Sequence, residues 1–184
     1  PASQTRDKDA LTDDGVAEIM EELSKQFDYI ICDSPAGIER GAQLAMYHAD
    51  EAIIVTNPEI SSVRDSDRII GILQSQTKKV AENQGSVREH LIITRYNAER
   101  AAANEMMDIE TISNDILKVP LLGVVPESHS VLEASNHGEP VIHYTDSIAG
   151  QCYDDIVARF LGEERPLRHI DVKKKSLLQR WFGG

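Results

Sequence analysis

The sequence has few cysteines, no long apolar run and a deficit of positive charge, and each shortage excludes a class of protein. The chain has only two cysteines, 120 positions apart, and these are too few for the disulfide framework of a small secreted protein. No apolar run reaches the roughly 18 residues that suggest a membrane-spanning helix. With 19 Lys and Arg against 31 Asp and Glu, the net charge of −12 argues against general affinity for nucleic acid phosphates. We therefore expect a cytoplasmic protein with no nucleic acid partner.

The composition that remains is that of a folded domain, with 41% apolar and 27% charged residues among 184. Its charge is uneven, because the last twelve residues carry +4 and no acid whereas residues 1–172 carry −16. The chain begins with Pro1 rather than Met, and no secretory or transit signal follows. We therefore expect a processed chain or a fragment, with a basic tail on an acidic body.

Four short runs rich in Ile and Val, residues 29–32, 52–56, 91–94 and 121–125, predict strands buried on both faces, with Cys32 in the core. Helix starts are predicted at Thr12, at the Ser61-Ser62 pair and at Asp146-Ser147. Helices are predicted at 13–25, 41–47, 62–77, 108–117, 130–136 and 147–161. Strand and helix in alternation indicate a doubly wound α/β fold, with a mostly parallel sheet and helices on both faces.

The residues that follow each predicted strand are the candidates for chemistry, because open parallel sheets bind ligands beyond the carboxyl ends of their strands. Asp33 ends the first run and is followed by a turn to Gly37. An apolar strand ending in Asp is typical of the Walker B arrangement, where the carboxylate orients Mg²⁺ or its water beside a nucleotide phosphate. From these residues alone, a turn-capping Asp is the alternative.

Several further motifs are distributed along nearly the whole chain. They are the opening residues 1–9, Cys32-Asp33-Ser34-Pro35-Ala36-Gly37-Ile38-Glu39, Asn57-Pro58-Glu59, residues 61–68, Gly138-Glu139-Pro140-Val141 and the basic tail. In these motifs the chain resembles the MinD family, deviant Walker-type ATPases that place the bacterial division site, in a wider group with ParA partition ATPases and nitrogenase iron protein. In this resemblance the basic tail separates the MinD family from its relatives.

The resemblance implies a P-loop NTPase-like fold that binds ATP and Mg²⁺ and forms an ATP-dependent homodimer. Asp33 would lie near Mg²⁺, through a water molecule, and near the attacking water. Gly37 would offer its backbone N–H to the γ-phosphate. The residues implied to frame the adenine are Thr94, Arg95, Pro126 and Glu127.

The chain departs from the family in one respect, because no Gly-Lys-Thr or Gly-Lys-Ser occurs in it and its 11 glycines never cluster. The Gly-rich loop with those residues cradles nucleotide phosphates with backbone N–H groups. We therefore expect residues 1–162 to be the carboxy-terminal two thirds of a MinD-like ATPase domain, truncated at its amino end. Alone, the chain is expected to hydrolyse no ATP.

A charged helix start at residues 62–68 is the candidate partner surface, with Arg64, Asp65 and Asp67. From the charge pattern alone, acids in a first turn are favoured by the helix dipole and need no partner. The resemblance implies that this surface receives the division inhibitor MinC and the regulator MinE.

The tail at 172–184, after a predicted linker at 163–171, has the pattern of an amphipathic helix lying in a membrane interface. At about 100° per residue, its four large apolar side chains share one side of the helix. They are Leu177, Leu178, Trp181 and Phe182, and the positive charge comes from Lys173, Lys174, Lys175 and Arg180. We expect reversible binding to anionic lipids on the cytoplasmic face of the inner membrane; docking on the acidic body is the alternative.

The resemblance, together with the pattern of the tail, implies a membrane-cycling ATPase of cell-division site selection. By that resemblance it would bind the membrane as an ATP dimer and be released after MinE-stimulated hydrolysis. Two alternative functions remain open. A ParA-type partition ATPase would need a basic surface to bind DNA, and the net charge of −16 over residues 1–172 disfavours such a surface. A non-enzymatic membrane adaptor would use the tail and the 62–68 helix without any phosphate loop.

Overall fold

The computed structural model describes residues 12–34 and 37–171. By its backbone contacts the chain divides into two compact units, Pro1–Ile53 with Arg64–Glu89 and Ile54–Val63 with His90–Gly184. Three strands form a sheet in the order β1-β2-β3, where β1 is Glu51–Thr56, β2 is Arg88–Tyr96 and β3 is Leu121–Pro126. β2 and β3 run parallel. The strands predicted at 52–56, 91–94 and 121–125 are therefore confirmed.

Helices alternate with these strands, as the sequence predicts. They are α1 (Asp13–Ser24), α2 (Arg40–Tyr47), α3 (Ile60–Ser75), α4 (Lys78–Ala81), α5 (Ala98–Ala102), α6 (His129–His137) and α7 (Ile148–Phe160), with a π-helix at Thr111–Ile116 and a 3-10 helix at Val141–His143. α4 and α5 were not predicted. Asn97 begins α5, because its side chain accepts hydrogen bonds from the backbone N–H groups of Glu99 and Arg100.

Two of the three predicted helix starts are confirmed. The side chain of Thr12 accepts from Gly15 N at the start of α1, and that of Ser147 accepts from Gly150 N at the start of α7. The start predicted at Ser61-Ser62 is wrong, since α3 already begins at Ile60. The backbone N–H of Val63 donates to Glu59 O at 3.0 Å, so the helical hydrogen bonding begins directly after Pro58 and both serines lie in the first turn.

The strand predicted at residues 29–32 is not formed, because the described chain from 28 to 34 has no regular structure. Tyr29 is 67% exposed and Ile31 is 92% exposed. Cys32 is exposed too, contrary to the expected core position. The physical reason is that an apolar run becomes a buried strand only where a neighbouring strand pairs with its backbone, and no strand in the described ranges pairs with this one.

One apolar cluster of the second unit lies where α7 covers β3. Its buried side chains are Ile92, Leu122, Val125, Ala149, Cys152 and Ile156. Gly123 allows this close approach, because a Cβ at that position would collide with the side chain of Ile156. Burial raises the pKa of the Cys152 thiol, as expected for a cysteine that serves as core filling. β3 is thereby fixed, and with it the residues that follow its carboxyl end.

Gly150→Ala should destabilise the protein, because a Cβ at Gly150 would lie 2.5 Å from Tyr144 O and 2.9 Å from Val141 O, both backbone atoms. Overpacking of this kind costs about 1–3 kcal/mol. The control is Gly71→Ala on α3, where nothing lies within 4 Å of the added carbon and about 0.4–1 kcal/mol of stabilisation is expected. Urea unfolding of both variants measures the two effects. Equal stability of the variants would contradict the packing described here.

Candidate functional site

The carboxyl ends of β1 and β2 are tied together by a side-chain hydrogen bond. The Thr94 hydroxyl lies 2.8 Å from Asn57 Oδ1 and 3.4 Å from the backbone oxygen of Thr56, and it is half-buried. Thr56 is the last residue of β1, and Asn57 follows it directly. This contact orients the side chain of Asn57, which is not among the predicted site residues. Its position immediately after an apolar run is the sequence signal that marks it as a candidate.

The carboxyl ends of β2 and β3 are held together by the backbone. Tyr96 is paired with Pro126, and the backbone N–H of Glu127 donates to Tyr96 O at 2.9 Å. The register shifts between Thr94 and Tyr96, and Arg95 between them has φ +56°. A residue in the left-handed region within a bulge bends the strand and changes where its side chains point. Arg95 and Glu127 are exposed there and Pro126 is half-buried.

Four residues predicted to frame a nucleotide base are thus brought to one edge of the sheet: Thr94, Arg95, Pro126 and Glu127. The arrangement offers a hydroxyl, a guanidinium, a carboxylate and the flat ring of a proline at adjoining strand ends. These groups can bind a planar polar ring from its face and its edges. The edge therefore has the chemistry that an adenine-binding rim requires.

Tyr96 lies beneath this edge and is only 6% exposed. Burial raises the pKa of its phenol, and the negative charges of Asp108 and Asp171 raise that pKa further. The pKa of Asp108 is lowered, chiefly because Thr111 donates to it from its backbone N–H at 2.9 Å and from its hydroxyl at 2.7 Å. The raised pKa of Tyr96 favours its protonated phenol, and the lowered pKa of Asp108 favours its charged carboxylate.

Asp33 and Gly37 belong to the other unit and are exposed. Gly37 has φ +103°, a conformation that L side chains rarely adopt, so the predicted glycine turn is present. Pro35 and Ala36 between them lie outside the described residues. Asp33 supplies one exposed carboxylate, and Mg²⁺ at nucleotide sites is commonly held by one or two carboxylates with water and phosphate oxygens. The donor set at Asp33 therefore fits a magnesium ion that arrives with a nucleotide.

The candidate partner surface lies on α3. Arg64, Asp65 and Asp67 are all exposed in its first turns, and Asp65 forms an exposed 3.4 Å ion pair with Arg68. Exposed ion pairs contribute little to stability. A partner could therefore contact these charged side chains while the packing of the core stays unchanged.

The predicted membrane residues from Lys173 to Phe182 all lie outside the described residues. Within the ranges that the structure describes, no helix has both the length and the apolar character needed to cross a membrane. The same ranges contain no cluster of three or more His, Cys, Asp or Glu side chains that could hold a metal ion.

Comparison with known proteins agrees with this geometry. Residues 5–141 match the family model of the CobQ/CobB/MinD/ParA nucleotide-binding domain. The septum site-determining protein MinD of Neisseria meningitidis is 62% identical over the whole chain, which spans 68% of that protein's length. Among solved structures, the Aquifex aeolicus MinC:MinD cell division protein complex has a TM-score of 0.75 at 36% identity, covering 87% of this chain and 63% of that one.

A further similar structure is the Pyrococcus horikoshii septum site-determining protein MinD complexed with Mg-ADP. Its TM-score is 0.67 at 28% identity, over 88% of this chain and 63% of that one. The predicted fold is confirmed: a parallel sheet with helices on both sides, of the P-loop NTPase-like type. The chain belongs to the MinD family of septum site-determining, nucleotide-binding proteins.

Proposed function

We propose that the intact protein selects the cell-division site as an ATPase that binds ATP and Mg²⁺, dimerises with ATP and binds the inner membrane through its tail. It would recruit MinC and leave the membrane after hydrolysis stimulated by MinE. One observation carries the nucleotide part: Thr94, Arg95, Pro126 and Glu127 lie at the adjoining carboxyl ends of β2 and β3. Membership of a nucleotide-binding family supports it independently.

The adenine would be held at this edge. Thr94 is oriented by Asn57, so its hydroxyl is pre-positioned and loses little rotamer freedom on binding. Pro126 would cover a face of the base, while Glu127 and Arg95 supply polar contacts around its rim. Mg-ADP in the related Pyrococcus horikoshii protein supports this class of ligand.

Asp33 and Gly37 would act in the hydrolysis of the terminal phosphate of ATP. The chemistry that bound Mg·ATP supplies is transfer of a phosphoryl group to water. Asp33 would orient a metal-bound water with its carboxylate, and Gly37 would donate its backbone N–H to a phosphate oxygen. A positive φ at Gly37 exposes that N–H without steric strain. Both roles rest on the resemblance to the family together with the exposure of these residues.

Membrane binding would be reversible and controlled by dimerisation. Each lysine near anionic lipid contributes about 1 kcal/mol, and each large buried apolar side chain about 1.5–3 kcal/mol before ordering costs. A tail of about three helical turns is not stable alone in water, so one copy binds weakly. Two copies on a dimer raise the effective concentration of the second tail. ATP would therefore control residence on the membrane through the dimer.

The partner proposal concerns α3. The Aquifex aeolicus MinC:MinD complex supports MinC as a partner, and MinE is proposed from the family resemblance. Arg64, Asp65 and Asp67 are proposed as contacts because they are exposed charges on one helix end. Charged contacts of this kind steer association and set specificity more than they add affinity.

Magnesium-dependent ATP turnover tests the enzyme proposal. The intact protein should hydrolyse ATP, whereas the 184-residue chain alone should show no turnover above buffer, because its sequence holds no Gly-Lys-Thr or Gly-Lys-Ser phosphate loop. Phosphate release is measured for both with Mg²⁺ and with EDTA, after circular dichroism has established that each is folded. Magnesium-dependent turnover by the 184 residues would refute the assignment of an incomplete site.

A further inference from the structure

Residues 162–171, here called the strap, follow α7 and run back along it. The side chain of Arg159 donates from Nε to the backbone oxygen of Arg165 at 3.1 Å, and Arg168 contacts Asp155. Later strap residues thus meet earlier residues of α7. The strap is exposed at every position except Ile170, which is half-buried. Apolar burial therefore contributes little to holding it.

An ion pair between Arg168 and Asp155 joins the strap to α7. Arg168 Nε lies 2.9 Å from Asp155 Oδ2, which is ion-pair distance, and Arg168 Nη2 donates a hydrogen bond to Asp155 Oδ1 at 3.2 Å. The Asp155 side chain is 2% exposed, and that of Arg168 is 42% exposed. Within the described ranges, Arg168 is the cation at ion-pair distance from this carboxylate. A buried carboxylate requires such a partner.

The first half of the strap borders an open cleft. Its residues from Gly162 to Pro166 line this cleft of about 680 Å³, together with Leu121, Leu122 and Arg159. Arg165 forms its ion pair inside the strap, with Glu163 at 2.9 Å. The start of the strap is held by backbone hydrogen bonds from Gly162 N to Arg159 O and from Glu163 N to Ala158 O. Beyond them, attachment depends on the contact of Arg159 with Arg165 O and on the pair of Arg168 with Asp155.

The strap begins near Leu121 and Leu122, the first residues of β3. Burial is the main cause that raises the pKa of Tyr96, and the charge of Asp171 at the end of the strap raises that pKa further. Tyr96 is the last residue of β2 and is paired with Pro126.

We propose that Arg168 and Asp155 are positioning residues that fix where the C-terminal tail leaves the folded body, an inference that rests on the proposed membrane binding by that tail. Four residues separate Arg168 from Lys173, whereas seven separate Arg165, the preceding attached strap residue, from Lys173. In a dimer, the effective concentration of the second tail falls roughly as the −3/2 power of the length of the connection. Releasing the strap at Arg168 should therefore weaken membrane avidity about twofold.

Sedimentation with vesicles of anionic and zwitterionic phospholipid tests this on the intact protein with ATP and Mg²⁺. Arg168→Ala should raise the lipid concentration for half-binding about twofold. The matched control is Arg165→Ala, which removes the same charge from the same segment and leaves the pair with Asp155 in place; it should leave that concentration unchanged. Arg168→Lys should give a value between those two variants, because an ammonium can still pair with Asp155 but lacks the planar guanidinium.

A second variant distinguishes the effect of Arg168 on the position of the tail from its effect on the stability of the protein. In D155N/R168A no buried carboxylate is left unpaired, so thermal stability should recover toward that of the unsubstituted protein while vesicle affinity stays low. Recovery of vesicle affinity together with stability would overturn the positioning role, and so would equal binding by Arg168→Ala and Arg165→Ala. Absence of vesicle binding by the unsubstituted protein would instead overturn the membrane function itself and this proposal with it.

Discussion

Trp181→Glu in the intact protein is expected to abolish co-sedimentation with anionic vesicles in the presence of ATP. The substitution removes the largest apolar side chain of the tail, whose burial contributes about 1.5–3 kcal/mol. It also places a negative charge against an anionic surface, at a further penalty of about 1 kcal/mol. The sum corresponds to an affinity about 100- to 1,000-fold lower for each tail. Turnover of ATP in the absence of lipid should be unaffected, because Trp181 is not proposed to contact nucleotide.

The matched control for this substitution is Gln179→Glu. It introduces the same charge two positions away, but at about 200° on the helical wheel from Leu177 it lies outside the apolar side. It should therefore weaken vesicle binding about tenfold or less, through charge alone. Equal loss of binding by Trp181→Glu and Gln179→Glu would mean that charge alone holds the tail to lipid. Unchanged binding by Trp181→Glu would refute the membrane role of the tail.

Asp33→Asn is expected to lower magnesium-dependent ATP turnover of the intact protein about 100-fold or more. An amide keeps the size of the side chain but removes the charge that would orient a metal-bound water, and positioned groups of this kind contribute factors of about 10²–10⁴. Stability should change little, because Asp33 is exposed.

Asp28→Asn is the control for Asp33→Asn, since it makes the same change at another exposed acid five residues earlier. It should leave turnover within about twofold. Steady-state phosphate release at saturating ATP measures both variants. Comparable turnover by the two would remove Asp33 from the catalytic assignment, and a shared loss would point to the fold of this segment instead.

An apolar run in this sequence forms the predicted strand only where another strand pairs with it or a helix packs on it. Residues 52–56, 91–94 and 121–125 form strands because β1, β2 and β3 pair with one another and α7 packs on β3. Residues 29–32 have the same composition but no pairing partner among the described strands, and Ile31 stays 92% exposed. Apolar composition predicts the capacity to be buried, whereas burial itself depends on neighbours distant in sequence.

The candidate site was predictable where it follows strand ends and unpredictable where it depends on backbone geometry or long-range pairs. Thr94, Pro126 and Glu127 could be selected because the ends of parallel strands share one edge. The left-handed conformation of Arg95 could not, since non-glycine residues seldom adopt it and no sequence signal marks the bulge. The pair between Arg168 and Asp155 joins an irregular segment to a helix, and periodicity predicts nothing across such a connection.

The central claim is that a nucleotide bound at the strand ends controls membrane attachment by the C-terminal tail. The most direct measurement is sedimentation of the intact, unsubstituted protein with anionic vesicles in Mg·ATP and, separately, in Mg·ADP. The account predicts that the protein pellets with lipid in ATP and stays mostly in the supernatant in ADP, because only the ATP dimer presents two tails to one surface. Equal pelleting in the two nucleotides would contradict it.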